Sequence, residues 1–176
     1  MTEFAVTAIG RDRPGIVAAI SDVLLDLGGN VEDSRMAILG GHFSVMLLVD
    51  LPESRSAAEL EQGIDGVRER LGLEAVSVNE VERLDPSAGE PTHILTVYGA
   101  DRPGIVHGVT GLLAGRGVNV TDLSTRVAGG ARPVYVMVLE LALGEVSAAE
   151  LEAALRTKAA ELEVDVSLRE LESEQL

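Results

Sequence analysis

Two copies of the pattern G-x-D-R-P-G-I are the part of this sequence best suited to bind a small molecule. They span residues 10–16 and 99–105. Each follows a short apolar run and precedes an amphipathic stretch, which predicts a strand, a tight turn, and a helix with Pro and Gly in its first turn. The start of a helix offers free backbone N–H groups and a positive dipole end to a small anion. Glycine at positions 15 and 104 would let a ligand or another backbone come close.

A second repeated feature is an asparagine that follows this helix. Asn30 and Asn119 are predicted to begin the next strand and to lie beside the first one. Asparagine both donates and accepts hydrogen bonds, so it could hold an ammonium or a carboxylate group. A carboxylate bound by helix amides, with its ammonium held by Asn or Asp, describes a free amino acid.

A purely structural interpretation of the same residues stays open. In it, Asp12 caps the helix, Pro14 starts it and Asn30 supports a turn. The repetition does not decide between the two interpretations, because one ancestral loop would be copied whether it bound a ligand or only folded.

Other site chemistry finds little support in the sequence. The chain has no cysteine, which removes disulfides, thiolate metal sites and thiol catalysis. Its three histidines lack partners at recognised metal-ligand spacings, and G-x-S-x-G, G-x-x-x-x-G-K-[ST] and G-x-G-x-x-G are absent. We therefore expect no enzyme activity, no metal and no cofactor.

Internal duplication explains why the loop occurs twice. Residues 7–41 align with residues 96–130 at an offset of 89, with 15 of 35 positions identical and no gap. A two-residue insertion, Arg132 and Pro133, is then predicted to bring Met46 onto Met137. Met36, Met46 and Met137 fall in strand runs and are predicted to be core residues. A period this long indicates a duplicated domain rather than a solenoid.

Each half carries the same predicted order of elements. Apolar runs at 4–9 and 93–98 begin the halves, and each run is followed by a helix that ends near Gly28 or Gly117. Two strand pairs follow, 30–39 with 42–51 and 118–127 with 134–143, joined by Gly40-Gly41 and Gly129-Gly130. Second helices begin after Ser56 and Ser147, and each serine has a glutamate three residues later, as in a capping box. The halves end with predicted strands at 75–81 and 164–168. The fold class is therefore α+β, with two ferredoxin-like (βαββαβ) units in tandem.

The predicted organisation is a first domain over 1–83, a linker over 84–91, a second domain over 92–171 and a tail over 172–176. The linker is polar and rich in turn formers. A four-stranded sheet with helices on one face leaves its other face and its edges to be covered or paired. We therefore expect contact between domains and assembly into a homo-oligomer, most simply a dimer.

Charge and hydropathy limit the classes of molecule that this protein is expected to bind. The chain has 14 Lys plus Arg against 29 Asp plus Glu, a net charge of −15, with two Phe, two Tyr and no Trp. This composition argues against direct nucleic-acid binding, which needs phosphate neutralisation and stacking surfaces. No apolar run has membrane-spanning length, and the N-terminus has no basic, signal-like region. We expect no membrane partner and a cytoplasmic location.

The segment DRPGIVAAISDVLLDLGGNVEDSRMAILGGHFSVMLLVDLP resembles an ACT domain, and residues 92–143 resemble a second one. Within that family, NVEDSRMAILGGHFSVMLLV is most similar to the glycine cleavage system transcriptional repressors, which are tandem ACT proteins. The resemblance implies ferredoxin-like modules that bind amino acids or other small metabolites at interfaces between domains.

The resemblance also implies which residues bind the ligand. The implied positions are Asp12, Arg13, Pro14, Gly15, Ile16, Asn30 and Val31 in the first copy, and Asp101, Arg102, Pro103, Gly104, Ile105, Asn119 and Val120 in the second. Many ACT loops have Asn where this chain has Asp12 and Asp101, and an acid there suits an ammonium group. Ala100, His107 and Thr121 replace Arg11, Ala18 and Glu32 in the second copy, so we expect two sites of different affinity.

The function implied is that of a non-enzymatic regulatory protein that binds a small amino acid of the glycine or serine type. It would control amino-acid metabolism through a protein partner, as an indirect regulator of transcription. The alternative is a regulatory subunit of a separately encoded enzyme of amino-acid metabolism.

Overall fold

A computed structural model of the chain describes residues 2–83, 89–128 and 133–171. The chain divides into two units, Met1–Leu84 and Asp85–Leu176. Of the predicted linker at 84–91, residues 84–88 lie outside the described residues. The turn glycines 129 and 130, Arg132 of the predicted insertion and the tail at 172–176 lie outside them as well. The domain limits proposed above therefore stay predictions.

Both units have the predicted order of elements. The first contains β1 (Thr2–Arg11), α1 (Ile16–Asp26), β2 (Asn30–Leu39), β3 (His42–Leu51), α2 (Ala57–Leu71) and β4 (Leu73–Glu80). The second contains β5 (His93–Gly99), α3 (Ile105–Ala114), β6 (Asn119–Ala128), β7 (Val134–Ala142), α4 (Ala148–Leu162) and β8 (Val164–Glu170). The α+β, twice-repeated ferredoxin-like fold is confirmed.

Strand order corrects one expectation about the site. The sheets have the orders β2-β3-β1-β4 and β6-β7-β5-β8, with antiparallel neighbours throughout. Asn30 therefore does not lie beside the first strand, because β3 pairs with β1 and leaves β2 at the sheet edge. The cause is the split βαβ arrangement, in which β3 pairs on both of its edges and is inserted between β1 and β2.

The hairpin turn is confirmed in the first unit and shows where the copies diverge. Leu39 pairs with His42 across Gly40 and Gly41, which both have positive φ, as a two-residue turn requires. Ala128 pairs with Val134, so five residues separate β6 from β7 and the insertion is three residues long, not two.

This third inserted residue changes the alignment of β3 with β7. Gly10 pairs with Phe43 and Gly99 with Tyr135, which makes Val45, not Met46, the counterpart of Met137. Met137 is buried, whereas Met46 is 54% exposed on the face of the sheet without helices. The predicted core position of Met46 is wrong, because a shift by one residue moves a strand side chain to the opposite face. The core position predicted for Met36 is also wrong, since Met36 is 50% exposed on the edge strand β2.

Each core lies between the sheet and its two helices. In α1 the buried residues are Ile16, Ala19, Ile20 and Leu24, and in α3 they are Ile105, Val109 and Leu113. These follow the i, i+4, i+8 spacing of one helix face. Val17 and Val106, each one residue past a buried isoleucine, are 46% and 40% exposed and lie outside the core. Side chains one residue apart on a helix project about 100° apart.

Gly10 and Gly99 are explained by packing. A Cβ atom on Gly10 would lie 2.9 Å from a methyl of Leu73, and one on Gly99 would lie 2.9 Å from a methyl of Val164. Both glycines thus let the last strand of the unit approach the end of the first. Their repetition needs no ligand to account for it.

The two capping-box predictions have different outcomes. Ser56 accepts a hydrogen bond from the Glu59 amide at 3.3 Å, and Glu59 accepts one from the Ser56 amide at 2.9 Å. Ser147 makes no such bond at the start of α4, so the second capping box is absent. Both serines have extended backbones, with φ −108° at Ser56 and −64° at Ser147.

Because only Ser56 caps its helix, replacing each serine by alanine should change the free energy of unfolding by different amounts. Ser56→Ala should lower the free energy of unfolding by about 1 kcal/mol, as is typical for loss of an N-cap, and Ser147→Ala should change it by less than about 0.3 kcal/mol. Urea unfolding of the full chain, followed by circular dichroism, measures both. Equal losses in the two variants would contradict the assignment.

The capping box also predicts a pH dependence. The hydrogen bond from the Ser56 amide, with help from Arg55, holds the pKa of Glu59 below its ordinary value of 4.5. Because that pKa is lowered by folding, the stabilisation is complete above pH 4.5 and is lost as pH falls through the folded-state value. The stability difference between wild type and Glu59→Gln should therefore shrink toward acid pH, measured by urea midpoints from pH 7 to 3.

Candidate functional site

The loop before the first helix of each unit is built on a left-handed glycine. Gly15 has φ 95° and Gly104 has φ 98°, and each is the residue at the N-cap of its helix. The helices therefore begin at Ile16 and Ile105, and the prediction that Pro14 and Pro103 lie inside their first turn is wrong. A residue with positive φ cannot continue a right-handed helix, so the prolines belong to the preceding turn.

These helix starts carry no side-chain cap within the described parts of the chain. Since Gly15 and Gly104 hold the N-cap positions, the structural interpretation in which Asp12 caps the helix is wrong. The Asp12 amide instead donates to the Gly41 carbonyl at 2.9 Å, which ties the loop to the β2–β3 turn. Neither first turn contains an acidic residue. The amides of these turns have no intrahelical partner and can receive an anion.

The loop arginines contact the far end of the second helix of their units. Arg102 forms an ion pair with Glu163, the left-handed residue that ends α4. In the first unit a terminal nitrogen of Arg13 lies 3.9 Å from where a Cβ of Gly72 would be, and Gly72 ends α2 in the same way. A cation at a helix C-terminus is favoured by the dipole. Arg102 thus ties its loop to the end of α4, and Arg13 lies at the equivalent place in the first unit.

The remaining predicted loop residues divide by exposure. Ile16 and Ile105 are buried core residues, so only their backbone amides face the loop. Asp12, Pro14 and Gly15 are exposed, as are Asp101, Pro103 and Gly104. A Cβ on Gly15 or Gly104 would have no atom within 4 Å among the described residues. Space is therefore open directly above both glycines.

Neither asparagine lies near the loop of its own unit. Asn30 pairs with Asp50, which pairs with Glu3 near the start of β1, whereas the loop follows Gly10 near its end. The seven-residue separation from Glu3 to Gly10 corresponds to roughly 23 Å along the strand. In the second unit Asn119 pairs with Ala142, beyond the start of β5, and its loop follows Gly99 at the other end. A single unit does not bring the predicted site together.

Acidic residues surround Asn30, and sequence reasoning missed them. The side-chain amide of Asn30 donates a hydrogen bond to the Glu32 carboxylate at 2.8 Å. Asp50, only 6% exposed, accepts a 2.5 Å hydrogen bond from Arg83, which also lies 3.6 Å from Glu3. The signal for this cluster was Asp50 itself, a charged residue in the apolar run FSVMLLVDL.

The second unit differs at the corresponding places. Thr121 stands at the same β-bulge as Glu32, and Ala142 pairs with Asn119 as Asp50 pairs with Asn30. Tyr135 replaces the buried Phe43, and burial, followed by the charge of Asp101, raises the pKa of its phenol, while a hydrogen bond with Thr125 opposes the shift. The expected difference between the two sites thus has a physical basis.

An apolar groove of about 170 Å³ lies between α1 and β2. Its lining consists of Val17, Ile20, Ser21, Val31, Ser34, Val45 and Leu47. Val31, one of the predicted binding residues, is exposed at this groove, whereas its counterpart Val120 is half-buried against the second core.

Two other kinds of site find no support in the described ranges. Over residues 2–83, 89–128 and 133–171, no group of three or more His, Cys, Asp or Glu side chains is arranged to hold a metal ion. Over the same ranges, no helix combines the length and apolar character needed to cross a membrane.

The family model for the ACT domain matches this chain twice, at residues 2–78 and 92–169. The chain belongs to the ACT domain family. The two matched stretches coincide with the two ferredoxin-like units, so each unit is one ACT domain. Membership supports the regulatory, amino-acid-sensing class of function and gives no indication of catalysis.

Relatives occur both as single and as tandem domains. A UPF0237 protein of Methanopyrus kandleri is 41% identical over 81 residues, which are 46% of this chain and 90% of that protein. The glycine cleavage system transcriptional repressor of Escherichia coli is 27% identical over 169 residues, covering 93% of this chain and 87% of the repressor. The crystal structure of an unknown protein from Galdieria sulphuraria has a TM-score of 0.82 and 31% identity, covering 97% of this chain and 98% of that one.

Gly15, the positive-φ glycine at the N-cap of α1, should be sensitive to replacement by alanine although no atom would clash with the added Cβ. Gly15→Ala should cost about 1 kcal/mol or more, because alanine resists positive φ even where space is open. Gly66→Ala, within α2 and also with no atom within 4 Å of its added Cβ, should instead stabilise by about 0.5–1 kcal/mol. Urea unfolding measures the stability of both variants. If Gly15→Ala left the free energy of unfolding unchanged, the positive φ of Gly15 would not disfavour alanine.

Proposed function

We propose that this protein is a non-enzymatic regulator that binds a small amino acid of the glycine or serine type between ACT domains. The observation that carries the proposal is the repeated loop, in which an exposed left-handed glycine precedes a helix whose first-turn amides lack a side-chain cap. Such amides suit a carboxylate. An amino acid of this size has no more than a carboxylate, an ammonium and a short side chain to recognise.

The separation of loop and asparagine determines how such a site must be assembled. Asn30 and the amides near Gly15 lie at opposite ends of one domain, roughly 23 Å apart along β1. A ligand only a few ångströms long cannot touch both. The proposed site therefore combines the loop of one ACT domain with the asparagine of another, either within one chain or across a homodimer.

Binding at an interface gives the ligand a way to act on a partner. A ligand that contacts two domains stabilises the arrangement in which both contacts are made and shifts the population toward it. A partner protein that prefers one arrangement then senses the amino acid. The net charge of −15 favours control of transcription through that protein rather than through DNA contact. The proposed setting is the cytoplasm.

Ligand binding is tested by a thermal-shift screen of the twenty amino acids. A ligand at 100 times its dissociation constant should add about 2.7 kcal/mol to the free energy of unfolding. Glycine or serine should raise the melting temperature most. If none of the twenty raises it, the proposed ligand class is wrong.

The site assignment is tested separately with Asn30→Ala and Asn119→Ala. At least one variant should weaken binding of the amino acid about tenfold or more, because the side chain contributes a hydrogen bond to a charged group. Isothermal titration calorimetry measures the affinity, and Asn79→Ala on β4 serves as an exposed control. Unchanged affinity in both variants would contradict the assignment and leave the fold intact.

The class of partner is tested by co-purification from cell extract with and without glycine. Recovery of a transcription factor supports indirect control of genes. Recovery of a biosynthetic or degradative enzyme instead favours a regulatory subunit of a separately encoded enzyme.

A further inference from the structure

A cluster of three carboxylates and one guanidinium lies at the asparagine end of the first ACT domain. Glu3, Asp50 and Asn30 are register neighbours across β1, β3 and β2, so their side chains share the face of the sheet that carries no helices. Glu32 joins them through its 2.8 Å hydrogen bond with Asn30. Arg83 lies over the cluster, 2.5 Å from Asp50 and 3.6 Å from Glu3.

The path of the backbone after β4 positions Arg83 beside these carboxylates. The Val81 amide donates to the Glu3 carbonyl at 3.0 Å, so the chain continues beside β1 after the strand has ended. Arg83 is the last described residue before 84–88, and its side chain is 63% exposed. An exposed arginine thus covers an aspartate that is almost fully buried.

Arg83 leaves this carboxylate incompletely satisfied. Asp50 Oδ2 accepts the hydrogen bond from Arg83, whereas Oδ1 is buried and has no hydrogen-bond partner among the described residues. A buried carboxylate oxygen without a donor costs free energy. The unpaired Oδ1 therefore points to a further donor group.

Charge and donor chemistry indicate what that donor is. Asp50, Glu3 and Glu32 all contribute to raising the pKa of Arg83, which places three negative charges around one positive charge. A cation that takes the place of Arg83 would meet the same three negative charges. An ammonium group carries three donors in a compact arrangement and can reach both oxygens of one carboxylate, which the planar guanidinium does not do here.

The second ACT domain provides an internal comparison. Its asparagine, Asn119, pairs with Ala142, and Thr121 occupies the β-bulge. Thr92, whose amide donates to the Leu141 carbonyl at 2.8 Å, stands where the first domain has Glu3. The asparagine is thus common to both copies, whereas the three carboxylates belong to the first copy.

We propose that Glu3, Glu32 and Asp50 form a subsite for the ammonium group of the ligand, and that Arg83 and this ammonium exchange there. The inference rests on the proposed function for the identity of the ligand and adds the group that the first ACT domain recognises. Arg83 acts as an internal competitor, which lowers the apparent affinity for the amino acid. When the ligand binds, Arg83 leaves Asp50.

The experiment measures glycine and L-serine affinities by calorimetry for wild type, Arg83→Gln and Arg55→Gln. If Arg83 occupies the subsite nine-tenths of the time, its removal should tighten binding about tenfold. Arg55→Gln is the matched control, because it removes the same charge from an exposed ion pair with Glu59 in the same domain. Its affinity should equal that of wild type. Equal or weaker binding by Arg83→Gln would overturn the exchange.

A double-variant cycle tests the role of Asp50. Asp50→Asn keeps the shape of the side chain and removes its charge, and it should weaken glycine binding about tenfold. In the Asp50→Asn background, Arg83→Gln should no longer tighten binding, because the two substitutions act on one contact. A gain of the same size in both backgrounds would show that Arg83 acts elsewhere. Circular dichroism establishes that each variant is folded.

An independent measurement separates this inference from the proposed function. In protein labelled with 15N-arginine, the Arg83 Nε–H signal, assigned with Arg83→Lys, is followed while methylammonium chloride is added. The signal should shift with methylammonium and not with an equal concentration of sodium chloride. If neither amino acid binds and the signal still shifts, the proposed function is wrong and the subsite stands. If the two salts have the same effect, the subsite is wrong.

Discussion

The pairing of β3 with β1 is the constraint on which the rest of this protein depends. Because β1 is central, β2 is pushed to the edge, and the helix that connects β1 to β2 runs the length of the domain between two recognition elements. Helix amides then face one end of the sheet and Asn30 the other. A ligand only a few ångströms long therefore cannot reach both kinds of group within one domain.

Duplication preserved the backbone of the site and changed its side chains. Gly15 and Gly104 have nearly the same φ, and both precede a helix without a side-chain cap. Backbone geometry is maintained because only glycine adopts this conformation at low cost. Around the asparagines, by contrast, the first domain has Glu3, Glu32 and Asp50 and the second has Thr92, Thr121 and Ala142.

Most of the fold could be predicted from the sequence, because its signals are local. Alternating apolar residues, the Gly40-Gly41 turn and the Ser56 capping box each depend on a few neighbouring residues. The errors arose where distant residues decide. Met46 was aligned with the buried Met137 because the insertion between β6 and β7 was predicted one residue too short. Ser147 fails to cap its helix although its local pattern matches that of Ser56. The ion pair between Arg102 and Glu163, which are 61 residues apart, likewise could not be predicted from local sequence.

The sequence by itself determined the duplication, the family, the order of elements and the loop whose amides can receive a carboxylate. These follow from residue spacing, which a linear pattern contains in full. Only the tertiary structure decided that the loop and the asparagine of one domain lie at opposite ends, because strand order depends on long-range pairing. It alone gathered Glu3, Glu32, Asp50 and Arg83 around Asn30, since four distant segments of chain meet there only after the sheet has formed.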